Sequence, residues 1–248
     1  MLTTRQTTYI AIFVALILTV LAYYPGLHGP FAFDDTTNIL QNKALVMHSL
    51  GWDQLSQAML SSDAGPLKRP LSMLSFAFNI YFGGLHPLGF KITNLIIHLL
   101  CGVLFFILLR QITRYWLDKG ILQSPAAVFW LPVLCASAWL LHPLNLTAVL
   151  YIVQRETSLC SLFILLGCVV YALARLRQLS GKPGWLLLYI GTAVTGALSV
   201  LSKETGLLLP MYLLVIELCV FRFSSASKPW ERGLAVFYGL FLWLPFIL

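Results

Sequence analysis

Two adjacent carboxylates, Asp34 and Asp35, lie in the segment Gly29-Pro30-Phe31-Ala32-Phe33-Asp34-Asp35-Thr36-Thr37-Asn38, just past the first long apolar run. A carboxylate within hydrogen-bond reach of a hydroxyl can take its proton as a general base. Ionised groups beside hydrocarbon are costly, and their default reading is a functional site. Each carboxylate also raises the pKa of its neighbour unless a cation or a hydrogen-bond donor stands nearby. The chain spends only 9 acidic residues in 248, so two together at a bilayer edge call for a use.

Candidate partners for the pair recur at the ends of other apolar runs. Arg155-Glu156 and Lys203-Glu204 are two such basic–acidic pairs, and Lys68-Arg69 adds two more cations. Arginine grips a phosphate through its planar fork and lysine as a point charge. Arg155, Lys203 and Arg69 are therefore candidate phosphate ligands. Polar residues also recur at helical spacing: Ser72, Ser75 and Asn79; Lys91, Asn94 and His98; Gln154, Ser158 and Ser161. A polar face within a membrane must look toward protein or water. Interhelical hydrogen bonding explains each stripe alone, whereas their shared level points to one outward-facing polar cavity. His86 and His142 each precede proline, in His86-Pro87-Leu88 and His142-Pro143-Leu144. Proline disfavours helix in the residue before it, so both mark helix boundaries; they either punctuate helices or face that same cavity.

The elements that must position these groups are membrane helices. The chain is 59% hydrophobic and 10% charged, with a mean hydropathy of +0.84, against roughly a quarter charged in soluble domains. Apolar runs near the 20 residues needed to cross a bilayer fall at about 9–24, 88–110, 126–141, 159–176, 185–201, 206–223 and 234–248. This predicts an all-α polytopic membrane protein of about seven transmembrane helices. The first run lacks a small-residue cleavage site and reads as a retained helix. Residues 25–85 form a long first loop. In it, residues 50–60 place Trp52, Leu55 and Met59 on one face and Asp53, Gln54 and Gln57 on another, as for an interfacial helix. A second helix over 70–82 starts with proline and is too short to span.

Charge orients the chain. Arg5, Arg110, Arg114, Lys119, Arg175, Arg177, Lys182, Arg222, Lys228 and Arg232 fall on one side, with only Asp118 and Glu231 among the acids. By the positive-inside rule that side is cytoplasmic. Asp34, Asp35, Asp53, Asp63, Glu156 and Glu204 fall on the other. The net charge of +7 thus marks a membrane face and not a nucleic-acid surface. Glu217 stands near the cytoplasmic end, where Arg222 or a neighbouring helix would pair with it. All five cysteines lie in apolar runs and read as small buried hydrophobes. No G-x-S-x-G, H-E-x-x-H or Walker loop is present. The chain ends inside an apolar run, as a short protein or the N-terminal piece of a longer one would.

Several segments follow one another in a recognisable order: Phe31-Ala32-Phe33-Asp34-Asp35-Thr36-Thr37-Asn38, Arg69-Pro70-Leu71-Ser72-Met73-Leu74-Ser75-Phe76, His86-Pro87-Leu88-Gly89-Phe90-Lys91-Ile92-Thr93-Asn94-Leu95-Ile96-Ile97-His98, Leu141-His142-Pro143-Leu144-Asn145, Tyr151-Ile152-Val153-Gln154-Arg155 and Leu201-Ser202-Lys203-Glu204-Thr205. The ordered set, over about residues 10–220, resembles the N-terminal transmembrane half of GT-C superfamily glycosyltransferases. It is most similar to the transmembrane-and-tetratricopeptide-repeat O-mannosyltransferases and their bacterial, pilin-type relatives.

The resemblance implies a single GT-C-like module over 1–248, with residues 25–85 as its extracytoplasmic loop and a C-terminal part to follow. It implies transfer of a sugar, with inversion, from a polyprenyl-phosphate donor to a hydroxyl of a protein or pilin acceptor outside the cytoplasm. The acidic motif of the first loop maps onto Asp34 and Asp35, with Asp35 slightly preferred as base and Asp34 as its support. Arg155, Lys203 and Arg69 would meet the donor phosphate. His86, Lys91, Asn94, His98, His142, Gln154, Glu156 and Glu204 would line the substrate cavity. The resemblance fixes no cofactor, and the second carboxylate could bind a divalent cation. The expected partners are the lipid-linked donor, the acceptor and the bilayer, with no nucleic acid, in a bacterial inner membrane in preference to the endoplasmic reticulum. A flippase for a lipid-linked substrate would use the same cations but should show internal symmetry, and none is visible. A non-catalytic assembly subunit would tolerate loss of both aspartates.

Overall fold

The computed structural model describes residues 3–224 and 228–243. Among them every regular element is helical. Hydrocarbon offers no partner for backbone polar groups, and a helix satisfies its own. Helix α1 (Thr4–Tyr23) opens with a capping box: the Gln6 amide donates to Thr3 Oγ1 at 3.3 Å, and the Thr3 amide to Gln6 Oε1 at 2.9 Å. The buried Thr19 hydroxyl donates back to the Ala15 carbonyl at 2.8 Å, so the helix hides no unpaired hydroxyl. Its other face presents Phe13 and Leu21, as a lipid-facing surface does.

The remaining helices are α2 (Trp52–Met59), α3 (Pro70–Gly83), α4 (Pro87–Asp118), α5 (Pro125–Leu140), α6 (Leu146–Leu150), α7 (Arg155–Leu179), α8 (Thr192–Ser202), α9 (Leu209–Ile216) and α10 (Lys228–Trp243). Both His-Pro steps are helix boundaries. His86 is the extended residue ahead of α4, and His142 precedes a short turn at Pro143–Asn145. Proline at the first helical position costs nothing, because that amide has no partner to lose.

With the turns that extend them, four helical rods among the described residues are long and apolar enough to cross a membrane: Thr4–His28, Pro87–Asp118, Ile152–Leu179 and Glu204–Phe221. A fifth arises if Pro125–Leu140 and Pro143–Leu150, bent by 50°, form one broken span. The chain is therefore an integral membrane protein, with four to five candidate spans in place of the expected seven. The run at 185–201 becomes the helix Leu187–Ser202. At 1.5 Å per residue it reaches about 24 Å, short of the ~30 Å hydrocarbon core. It stops where the Lys203 backbone turns extended (φ −162°). Of the run at 234–248, the described apolar part is Arg232–Phe241, and residues 244–248 lie outside the described residues.

The long first loop folds back as a small core. Ile39, Leu45, Met47 and Ala58 pack on Met73, Phe76 and Ile80 of α3, and on Phe90 and Ile152 at the starts of the α4 and α7 rods. The amphipathic helix is present as α2, but its buried residue is Ala58 and Trp52 stays 73% exposed. The face expected to lie in the interface is thus split, because the loop supplies α2 with its own apolar partner.

At the opposite end, Glu217 pairs with the neighbouring helix and not with Arg222. Arg175 holds it through two parallel bonds, Nε to Oε2 and Nη2 to Oε1, each 2.9 Å. Arg175, counted above as a loop cation, is fully buried. Tyr171 donates to Glu217 Oε2 at 2.5 Å, and the Phe223 amide to Oε1 at 3.0 Å. Arg175 also donates to the Ser224 carbonyl at 2.7 Å. Each carboxylate oxygen accepts at least two donors, which offsets the cost of burying the charge. Removing one partner leaves the other charged and dry. Arg175→Met should therefore cost about 3–5 kcal/mol of stability, and Arg175→Met combined with Glu217→Leu should recover much of that loss. Thermal unfolding in detergent distinguishes the three proteins.

Candidate functional site

The two aspartates go opposite ways. The chain turns left-handed at Phe33 (φ 47°) and enters a helical turn at Thr36–Leu40. Asp35 points inward and is fully buried. Its Oδ2 accepts the Ala32 amide at 3.0 Å, and its Oδ1 accepts the Val153 amide at 2.8 Å. It thereby ties the first loop to the start of the α7 rod. Burial pushes the Asp35 pKa up, and the Ala32 and Val153 amides pull it partly back, with a further contribution from the Lys91 charge. Asp34 stays exposed. Its amide donates to the Tyr151 hydroxyl at 3.1 Å, and its carbonyl accepts Asn38 Nδ2 at 2.9 Å and Thr37 Oγ1 at 3.2 Å. The backbone of Asp34 is therefore held while its carboxylate remains at the surface.

Thr37 and Asn38, which bond the Asp34 carbonyl, also line an open polar groove of about 720 Å³; Gln41 and Asn42 continue that wall, Ser61, Ser62 and Asp63 form the other, and Asp34 itself is not in the lining. Asn42 fastens the two walls by donating to Ser61 Oγ at 3.0 Å. This groove and Tyr151 are the features that the residue spacing did not reveal. Tyr151 was visible only as part of an ordered segment, and the groove depends on how the loop folds back.

Arg155 does not face a cavity. It is fully buried, and each of its three guanidinium nitrogens has a hydrogen-bond partner. Nε donates to Asn94 Oδ1 at 2.7 Å, Nη1 to the Ser75 carbonyl at 3.1 Å and Nη2 to the Phe90 carbonyl at 2.9 Å. The guanidinium also lies 4.7 Å from the centre of the Phe76 ring. Asn94 Nδ2 donates in turn to the Val149 and Ile152 carbonyls at 3.2 and 3.3 Å. Lys91 is likewise buried, and its Nζ donates to the Gly29 and Gly26 carbonyls at 2.8 and 3.3 Å. The stripe Lys91, Asn94 and His98 thus lines no open vestibule. His98 Nε2 donates to the Leu140 carbonyl at 3.0 Å, and its ring stacks on Trp139. With Thr157, Ser158 and Ser161 it surrounds a small polar cavity of about 140 Å³.

The basic–acidic pairs do come together. Arg69 has a left-handed backbone (φ 47°), as does Lys68 (φ 58°), a conformation that costs energy in residues with a Cβ. From it Arg69 reaches Glu156 at 2.5 Å through Nη1 and Glu204 at 3.0 Å through Nη2. Lys203 Nζ donates to Thr157 Oγ1 at 2.7 Å. The expected ring of positive charge is therefore a balanced cluster in which both glutamates face Arg69, and Lys203 has a hydroxyl partner. Gln154 accepts the Thr157 hydroxyl at 2.9 Å. His86 and His142 are exposed at their helix starts and do not join the cluster; His142 Nδ1 accepts the Leu144 amide at 3.2 Å. No three His, Cys, Asp or Glu side chains gather to hold a metal among the described residues.

One short stretch organises all of this. Residues 151–157 meet Asp34 through Tyr151, Asp35 through Val153, Asn94 through Arg155, Arg69 through Glu156 and Lys203 through Thr157.

No protein-family model and no solved structure matches the chain. Curated proteins do. Protein O-mannosyl-transferase TMTC4 of Homo sapiens is 33% identical over 195 residues, covering 72% of this chain and 25% of the relative. Protein O-mannosyl-transferase TMTC1 of Mus musculus is 28% identical over 221 residues, 84% of this chain and 21% of the relative. Protein O-mannosyl-transferase Tmtc3 of Drosophila melanogaster is 29% identical over 218 residues, 81% and 23% respectively. The chain spans about a quarter of the length of these relatives. It is thus a homologue of the transmembrane-and-tetratricopeptide-repeat protein O-mannosyltransferases and belongs with that group of GT-C glycosyltransferases.

Proposed function

We propose that this chain is the catalytic membrane module of a protein O-mannosyltransferase, which moves mannose from a polyprenyl-phosphate donor to a serine or threonine hydroxyl. The reading rests on the relatives' shared name and on one structural observation: Asp34 presents an exposed carboxylate on a backbone fixed by Tyr151, Thr37 and Asn38, and the last two also line a polar groove. The basic end of the bundle lies opposite, so the positive-inside rule favours a cytoplasmic N-terminus and an extracytoplasmic site.

The geometry favours Asp34 as base and Asp35 as support, the reverse of the preference from sequence. Both Asp35 oxygens accept backbone amides and the residue is fully buried, so no acceptor hydroxyl reaches it without breaking the loop. Asp34 would take the hydroxyl proton as the oxygen bonds to the anomeric carbon from the face opposite the phosphate. As that bond forms, the carbon–oxygen bond to phosphate breaks, with inversion, and the lipid phosphate leaves with the electron pair. Lys203 and Arg69, which bond Thr157 and Glu156 at the start of α7, would meet that charge as it grows. Arg155 acts through them, by holding the rods in register.

Asp34→Asn should lower transfer of mannose to an acceptor peptide by about 10²-fold or more, the usual contribution of a general base, with an unchanged melting temperature. Asp35→Asn should instead lower stability by about 1–3 kcal/mol, because the amide NH₂ faces a backbone N–H and leaves it unpaired. Transfer at wild-type rate by Asp34→Asn would show that the base lies elsewhere. Lys203→Ala should raise the donor KM about tenfold, with recovery in Lys203→Arg, because a phosphate partner needs the charge; equal KM in all three proteins would remove Lys203 from the donor site.

A further inference from the structure

The end of the bundle away from Asp34 carries a different pocket, of about 570 Å³, between α1, α4 and α7. Arg110 and Arg114 line it from α4. They are one helical turn apart and share a face. Arg110 Nη1 donates to the Tyr9 hydroxyl at 2.6 Å, and its guanidinium lies 5.1 Å from the Tyr9 ring centre and 5.5 Å from that of Phe129. The Arg5 guanidinium lies 5.8 Å from the same Tyr9 ring. Aromatic faces thus hold two guanidinium groups near the mouth of the pocket. Among the described residues, Arg5, Arg110 and Arg114 make no ion pair with a carboxylate.

The rest of the lining changes character. Phe106 and Ile107 lie deeper along α4, away from the basic end, and Leu176 faces them from α7. Gln111 also lines the pocket, and its side-chain oxygen is buried with no hydrogen-bond donor. The pocket therefore offers cations at the membrane surface, an unused acceptor beside them and an apolar wall running toward hydrocarbon.

We propose that this pocket binds an anionic glycerophospholipid. Its phosphate meets Arg110 and Arg114, a headgroup hydroxyl donates to Gln111, and an acyl chain lies along Phe106, Ile107 and Leu176. Basic pockets between transmembrane helices suit such headgroups, and each arginine near the membrane surface contributes about 1 kcal/mol to anionic lipid binding. Simple snorkelling needs only flexible cations reaching water. Here Arg110 is clamped on two rings, and three helices bound the space.

The test is native mass spectrometry of the purified chain released from nanodiscs of phosphatidylglycerol and phosphatidylcholine. The expected result is a retained phosphatidylglycerol adduct, with no comparable phosphatidylcholine adduct and none formed by inorganic phosphate added to the delipidated protein. Arg114→Ala should weaken the adduct about fivefold, the factor that corresponds to ~1 kcal/mol, and Arg110→Ala with Arg114→Ala should weaken it further. Arg114 is exposed, so its single variant keeps the test open if the double variant does not fold. Lys119→Ala with Lys182→Ala removes equal charge outside the pocket and should leave the adduct in place. Equal retention of both lipids, binding of phosphate alone, or an unchanged adduct in Arg114→Ala would overturn the proposal.

Discussion

The buried guanidinium of Arg155 is the interaction on which the outer half of the molecule depends. It sits at the start of α7 and spends its donors on Asn94 of α4 and on the carbonyls of Ser75 and Phe90. A charge in so dry a place is tolerable only when it is well hydrogen-bonded, and each of its three nitrogens has a partner. Three helices must therefore keep one relative position, and the neighbours of Arg155 inherit it. Tyr151 and Val153 on one side receive the two aspartates, and Glu156 and Thr157 on the other receive Arg69 and Lys203. These side chains come from distant segments, yet all contact the same short stretch.

The two ends of the bundle solve the same problem differently. At the basic end, Arg175 and Glu217 neutralise each other bidentately and add Tyr171 and backbone partners. The pair is enclosed and joins helices far apart in sequence. At the other end, Arg69 divides itself between Glu156 and Glu204 in a half-open cluster. Arg69 also carries a left-handed backbone. Strain beside a solvent-accessible charge cluster suits a place that meets a ligand, whereas the enclosed pair suits one that only holds helices together.

The residue pattern picked out several charged residues that meet at the outer end. Asp34, Asp35, Arg69, Glu156, Lys203 and Glu204 stood out from their types and spacing, and four of them form one charged cluster. Their roles were harder to read. Adjacent aspartates look alike on paper, but a turn at Phe33 sends one inward and leaves the other at the surface. Arg155 looked like a phosphate ligand because spacing shows where a cation lies along a helix, and not which carbonyls its fork will meet. The seven apolar runs likewise counted hydrophobic residues without testing whether a helix would reach across; the runs at 126–141 and 185–201 form helices of 16 residues, Pro125–Leu140 and Leu187–Ser202, which end at the bend at His142-Pro143 and at an extended Lys203.

Sequence alone determined the material of the protein: membrane helices with a basic end and an acidic end, His-Pro breaks, and a group of polar residues at one level. Those features follow from local rules, since hydropathy, helical period and proline sterics act within a few residues. Tertiary structure alone decided which carboxylate is buried, which cation is already spent, and that the loop folds into a groove lined by Thr37 and Asn38. Each of these depends on partners far along the chain, such as Val153 for Asp35 or Asn94 for Arg155. Desolvation and hydrogen bonding, the effects that set the role of an ionised group, are properties of that assembled neighbourhood.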